Sequence, residues 1–446
     1  MPVTRYWAEH AWLGGDAVTA GVTIEVAGDV IAAVRVAAAA PPDAVVLRGV
    51  TVPGLANAHS HAFHRALRGR TQSAAGTFWS WREQMYAVAA RLTPDSYYAL
   101  ARATFAEMAL SGVTCVGEFH YVHHEPNGTL YAEPNAMADA VVRAATDAGI
   151  RITLLDACYL TGGIGAELKG PQMRFGDGTA EAWAKRVSGL ADASQSAMAR
   201  VGAAIHSVRA VPPDELDDVV AWAAENEAPL HVHVSEQLAE NDNCLAAYGC
   251  TPTQLLADHG VLGPRSTAVH ATHVTSRDVA LLGGSGTTIC MCPSTESDLA
   301  DGLGDAAALA AAGSPLSVGS DSNASIDLWA DMRGVEFGER LRSQRRGHWT
   351  AMQLLTAATS VGHASLGWPE AGRLQAGAPA DFVTVRTDGV RLAGADPLLE
   401  ALVFAGAAAD VSEVVVAGRR VVVAGRHQLV DDVPAVLASS IAAVTT

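Results

Sequence analysis

Lysine is nearly absent from this chain: Lys169 and Lys185 are the only two among 446 residues. Charge as a whole is scarce, at 17% of residues, and its balance is negative, with a formal net charge of -17. Nucleic acid and anionic membrane both require a basic surface, so neither is an expected partner. An acidic small molecule would have to meet arginines placed locally against an unfavourable overall field. Cysteine is sparse too. The six residues form no C-x-x-C pair, which speaks against a disulfide framework or a cysteine-held metal. Cys290 and Cys292 alternate across Met291 on one face of a strand and read as core packing. No uninterrupted apolar run reaches about 18 residues, so no membrane span is expected. The opening MPVTRYWAEH lacks the basic-then-apolar order of a signal peptide, and a cytoplasmic location is the expectation.

Apolar residues, by contrast, make up 49% of the chain, the proportion of a well-buried globular enzyme. A chain of 446 residues exceeds what one compact core usually supports, so one large domain and one smaller one are expected. Residues 21–36 read as a β-hairpin with a Gly-Asp turn. Residues 382–386 and 411–426 have the same β-branched texture, with a Gly-Arg turn. Between them, short apolar runs such as VTCVGEF, ITLLDA, PLHVHV and TTICMC alternate with longer Ala-rich helical stretches. DAAALAAAGS (305–314) reads as a helix ending at Gly313. This rhythm predicts an α/β fold: a (β/α)8 TIM-like barrel over residues 51–374. The two chain ends, 1–50 and 375–446, are expected to meet as a smaller β-sandwich domain.

The chemistry-bearing residues fall at the ends of the predicted strands. In NAHSHAFH, His59 and His61 alternate along a strand and point the same way, within reach of one ion. In HVHVSEQ, His231 and His233 share a face; one of them completes a metal site, while Glu236, just past the strand, faces the water. TAVHATH brings His270 to a strand end, and LSVGSDSNAS does the same for Asp321. A buried carboxylate there needs a partner, and a metal is the usual one. In a parallel barrel all strand C-termini share one face, so these four segments converge. Asp321 is expected to bind the ion and accept a proton, His270 to steady the developing charge, and Glu236 to pass a proton to the leaving nitrogen. A second ion bridged by a carbamylated lysine is not expected. Lys169 lies in a Gly-rich loop and Lys185 in a predicted helix, neither ending a barrel strand.

Taken together, these segments resemble the amidohydrolase superfamily, from VPGLANAHSHAF to GRLQAGAPADFVTV. Within it, GVTCVGEFHYVHHEPNG, AAIHSVRAV, HVHVSEQ and CPSTESDLADG are similar to the formimidoylglutamate deiminases of histidine degradation. The resemblance implies metal binding by His59, His61, His233 and Asp321, and catalysis by Glu236, His270 and Asp321. It also implies substrate contacts from His64, Arg82, Tyr121, His206 and Arg209. One divalent ion per chain, zinc, and a homodimer are the corresponding expectations. His120, His123 and His124 are expected to organise a loop, with His231 and His273 packed or hydrogen-bonded. Two positions depart from the family's pattern: His64, where many members carry Gln, and Asn323, where several carry His. Both bear on substrate preference. The other readings are a superfamily deaminase acting on a purine, a pterin or a guanidino acid, and a barrel without catalysis.

Overall fold

A computed structural model describes residues 3–72, 76 and 78–445. Sixteen strands among these residues form two eight-stranded sheets. One sheet takes β1 (Val3–Ala11), β2 (Thr19–Ala27), β3 (Val30–Val36) and β4 (Val45–Pro53) from the start of the chain. The eight strands from β5 (Leu55–Ser60) through β6 (Val113–His120), β7 (Arg151–Cys158), β8 (Ala199–Ile205), β9 (Leu230–Val234), β10 (Ser266–His270) and β11 (Thr288–Met291) to β12 (Leu316–Val318) form the other. The first sheet is completed by β13 (Phe382–Val385), β14 (Val411–Val416), β15 (Arg419–Val423) and β16 (Arg426–His427).

The sheet built from both chain ends is mixed and runs β16-β15-β14-β13-β4-β1-β2-β3. It is one hydrogen-bonded ladder that folds over on itself. Ile31 N donates to Ala378 O at 2.9 Å, and Tyr6 meets Phe382 edge to face at 5.1 Å. The side chains of Tyr6, Ile24, Ile31, Leu47 and Phe382 fill the resulting core. Gly28 and Asp29 make the first hairpin turn, as the sequence suggests. The second turn is Ala417-Gly418 rather than Gly-Arg, with φ of 49° and 74°. Glycine is required at the second turn position, where a Cβ on residue 418 would lie 2.1 Å from the Gly28 carbonyl oxygen.

Strands β5 to β12 are parallel and follow one another in chain order, each separated from the next by helical segments. Burial on both faces explains their continuous apolar texture. The connecting helices carry local start and stop signals. Thr93 and Ser96 form a capping box ahead of Pro94–Leu110, and Gly313 in a left-handed conformation ends Ala306–Ala312. The ring is closed by a parallel bridge between Ser60 and Asp321: Asp321 N donates to His59 O at 2.9 Å and His61 N to Asp321 O at 3.0 Å. Gly319 permits this approach, since a Cβ there would come within 2.8 Å of His59 Cβ. None of the helices among the described residues is long and apolar enough to cross a membrane.

The two sheets are tied at the barrel's N-terminal end. Arg151 Nε, at the start of β7, donates to Asp381 Oδ2 at 2.6 Å; both side chains are buried. Asp381 Oδ1 also accepts from Ala417 N at 2.7 Å. The final helix, Val433–Thr445, packs on the barrel helix Pro94–Leu110 rather than on the small sheet. Removing one partner of a buried ion pair strands the other charge at a cost of about 3–5 kcal/mol. Asp381→Ala is therefore expected to lower unfolding stability by about that amount, read as a fall in the urea midpoint.

Candidate metal centre and active site

Strand pleating and barrel closure together deliver four donors to one point. His59 is the penultimate residue of β5, His61 follows the strand, His233 lies in β9, and Asp321 lies just beyond β12. One ligand atom from each lies within 4.8 Å of all the others. His59 Nε2 and His233 Nε2 are 3.1 Å apart, and Asp321 Oδ1 is 3.4 Å from Nε2 of both His59 and His61. Nδ1 of His61 donates to Phe119 O at 2.9 Å, and Nδ1 of His233 to His206 O at 2.8 Å. Those bonds fix the tautomer and turn an Nε2 lone pair inward. Burial pushes the pKa of all three imidazoles down, so each is held in the neutral, ligating form. Burial alone would raise the Asp321 carboxyl, but His59, His270 and His61 outweigh it and hold it well below the usual range. Lone pairs this close repel unless a cation lies among them, and three nitrogens with one carboxylate suit a divalent transition metal. The donor set fits such an ion.

Beside this cluster stand His270 and Glu236. His270 Nε2 is 3.7 Å from Asp321 Oδ2 and 3.8 Å from Glu236 Oε1. Its other nitrogen, Nδ1, meets Glu296 Oε1 at 3.3 Å, and that oxygen also accepts from Cys292 N at 2.8 Å. Burial works against the charged ring, but Glu296, Glu236 and Asp321 raise its pKa well above the usual histidine value. Burial raises Glu236, with His270 and Arg209 opposing. The backbone is strained where these groups sit: φ is 51° at Ser235, 70° at His270, 50° at Ala271 and 44° at Asp321. Left-handed conformations at non-glycine residues cost of order 1–3 kcal/mol each and persist where the surroundings impose them.

A cavity of about 580 Å³, including its open mouth, leads to the cluster. His61, His233, Glu236 and Asp321 line its floor, and His64, Arg82, Tyr121, His206 and Arg209 line its walls. His64 Nε2 and the Tyr121 hydroxyl are 2.7 Å apart, and burial pushes His64 down to about 3, so its ring is neutral. Arg82 lies over the Trp79 ring at 4.4 Å with its Nε unpartnered, so it stacks and faces the cavity at once. Arg209 Nε lies 2.9 Å from Glu240 Oε2 and its Nη2 3.7 Å from Glu236 Oε2.

Several contributors escape a reading of the chain alone. Glu240 is buried and accepts from Ser235 N at 2.9 Å while it holds Arg209. Glu296 orients His270. Phe78, Trp81, Met85, Tyr86, Tyr159 and Phe175 form the apolar walls. No motif marks Glu240, one helical turn past Glu236, and although Glu296 lies within CPSTESDLADG nothing in that segment's spacing pairs it with His270. Asn323 does not line the cavity. Its amide donates to Ser60 Oγ at 3.0 Å and to His61 O at 2.9 Å, behind the ligands.

A second group, His120, His123 and Asp156, also lies within ligating distance. Both Asp156 oxygens are occupied, however, by the Arg186 guanidinium at 2.8 and 3.0 Å and by Trp183 Nε1 at 3.0 Å. A divalent ion would have to displace that cation. His124 meets Asp177 at 3.2 Å in the same network. His231 Nε2 is bonded to Ser365 O at 2.9 Å and His273 Nε2 to Asp301 O at 2.7 Å. Lys185 lies in the helix Ala180–Ser194, and Lys169 caps a short turn; neither is on a barrel strand.

Comparison with known proteins bears on the whole chain. The family model described as "Amidohydrolase family" matches residues 50–421. A formimidoylglutamate deiminase of Pseudomonas aeruginosa is 38% identical over 394 residues, which span 85% of this chain and 86% of that protein. The crystal structure of an amidohydrolase from Brucella melitensis superposes with a TM-score of 0.90 at 36% identity, covering 99% of this chain and 100% of that one. An atrazine chlorohydrolase from Arthrobacter aurescens, crystallised with zinc, gives a TM-score of 0.88 at 25% identity over the full length of both.

Losing one of four donors weakens a metal site steeply. His233→Ala is expected to carry less than about a tenth of the metal bound by the parent chain, which binds about one ion. Metal analysis after gel filtration measures both.

Proposed function

The chain belongs to the amidohydrolase family, and from that premise we propose that it hydrolyses N-formimidoyl-L-glutamate to N-formyl-L-glutamate and ammonia. The observation that carries this reading is one cavity with a metal-ligating floor and two arginines, Arg82 and Arg209, in its walls. A formimidoyl group is small enough to reach the floor. A glutamate tail brings two carboxylates, and guanidinium grips a carboxylate bidentately. The aromatic walls leave the arginines as the main cationic groups, which suits a linear acid better than a ring.

The chain is a metal-dependent hydrolase acting on C–N bonds, with His59, His61, His233 and Asp321 as the residues that would hold the ion. We take the ion to be zinc, a choice supported by the three-imidazole, one-carboxylate set and by the zinc in the related chlorohydrolase. A bound divalent ion supplies Lewis acidity that makes water a nucleophile near neutral pH. The residues of the chain manage protons around that step. Asp321, held ionised, accepts the proton of the attacking water. His270, kept protonated by Glu296, Glu236 and Asp321, stabilises negative charge on the oxygen that bonds to the amidine carbon. Glu236 carries a proton to the terminal nitrogen, whose bond to that carbon breaks as ammonia leaves. His64 orients the Tyr121 hydroxyl through their 2.7 Å contact, and the His206 ring packs edge to face on Tyr121 at 5.5 Å.

Ammonia release from formimidoylglutamate, formimidoylaspartate, guanidino acids and guanine tests the assignment. Formimidoylglutamate is expected to be turned over best; a preference for guanine would refute it. Glu236→Gln is expected to keep its metal and lose about 10²–10⁴ in kcat. Because burial raises Glu236, its proton-donating form persists above the ordinary glutamate range, and the limb of kcat/KM that it controls is expected there. Activity falls as pH rises through that value, and the limb disappears in Glu236→Gln.

A further inference from the structure

One buried cation lies outside the machinery described so far. Arg174 has no exposed surface, and none of the ion pairs among the described residues involves it. Its guanidinium is satisfied by neutral oxygens alone. Nε donates to His124 O at 2.9 Å, Nη1 to Ala89 O, and Nη2 to Leu92 O at 2.9 Å and the Tyr131 hydroxyl at 3.3 Å. Its own carbonyl accepts from His123 N and His124 N, each at 3.0 Å. A buried charge without a counterion is costly, so its partners identify what it serves.

Those partners are the backs of three cavity walls. Ala89 is the last residue of the helix Phe78–Ala89, which presents Trp81, Arg82, Met85 and Tyr86 to the cavity. A cation suits that helix C-terminus, where carbonyls lack partners. His124 lies three residues after Tyr121, on the segment that leaves β6. Phe175, next to Arg174, is itself a wall. We propose that Arg174 is a positioning residue for the acidic end of the substrate, clamping the Arg82 helix, the Tyr121 segment and Phe175 into one rigid surface. Only a planar fork with five donors can serve four acceptors on three segments; an ammonium cannot. The metal floor is carried by β5 and β9 and by the segments that leave β5 and β12, none of which accepts a hydrogen bond from the Arg174 guanidinium.

This inference rests on the formimidoylglutamate reading for its kinetic arm, and a substrate-free arm stands apart from it. In Arg174→Met, amide hydrogen exchange in residues 78–92 and 121–124 is expected to speed up by about tenfold or more, with metal content unchanged. KM for formimidoylglutamate is expected to rise about tenfold, as for one lost hydrogen bond to a charged group, with kcat within about threefold of the parent. Turnover of formamidine, an amidine without carboxylates, is expected to stay at the parent level. Arg174→Lys keeps the charge and loses the fork; it is expected to show the same pattern at smaller amplitude and serves if the methionine variant does not fold. Unchanged exchange in those two segments overturns the proposal, as does a loss shared by kcat and by formamidine turnover. If the parent chain fails to turn over formimidoylglutamate, the assigned reaction is refuted while the exchange result still decides the role of Arg174.

Discussion

The active site depends on the closure of the barrel between its first and last strands. β5 and β12 meet through the backbone of His59, His61 and Asp321 themselves, so the contact that completes the fold also sets the spacing of three of the four metal donors. Gly319 makes the approach sterically feasible. Ser320 and Asn323 hold it from behind: Ser320 N donates to Asn57 Oδ1 at 2.9 Å, and Asn323 reaches His61 O. A chain that failed to close the ring would lose the ion and the catalytic aspartate together. The left-handed backbone at Asp321 is therefore affordable only because both neighbours pin it.

Electrostatics follows from that geometry. Three imidazoles are kept neutral by burial, and the carboxylate beside them is held ionised by His59, His270 and His61, which is the protonation pattern a divalent ion requires. One strand away the logic inverts. His270 is surrounded by three carboxylates and is driven to the protonated form. The same side-chain type thus serves as ligand or as cation according to its partners. The formal charge of -17 would repel an acidic substrate at a distance, but Arg82 and Arg209 place two guanidinium groups in the cavity wall. Glu240 and Glu236 offset part of Arg209's charge and limit how strongly it can hold a product carboxylate.

The alternation of strand and helix was legible in the chain, and so was the family resemblance, because parallel barrel strands are buried on both faces and stand out as short apolar runs. Histidines at run ends were legible for the same reason: the period-two pleat and the shared C-terminal face turn linear spacing into convergence. Glu240 and Glu296 were not. Each acts through contacts made by a helix that follows the strand, and neither periodicity nor composition records which face of that helix meets His270 or Arg209. The second hairpin turn falls one residue earlier than Gly-Arg, and the close approach of Gly418 to the Gly28 carbonyl within it is a contact across the small sheet that local spacing does not record. Asn323 sits in the motif that carries Asp321, yet its amide points away from the cavity, a direction that spacing cannot reveal.

These differences share a physical origin. The metal floor is built from strand ends, whose side-chain directions are dictated by hydrogen-bonded neighbours on both sides. The substrate walls come from segments inserted between strands: the helix Phe78–Ala89, the turn after β6, and the loop that carries Phe175. Such segments have no ladder to orient them and need separate supports. In this chain those supports are buried polar groups: the His64–Tyr121 contact, the Glu240–Arg209 pair, and the carbonyls gathered by Arg174. A fold arranged this way can exchange its walls, and with them its substrate, while the floor and its chemistry stay in place. A formimidoylglutamate deiminase and an atrazine chlorohydrolase in one family of folds are what that separation allows.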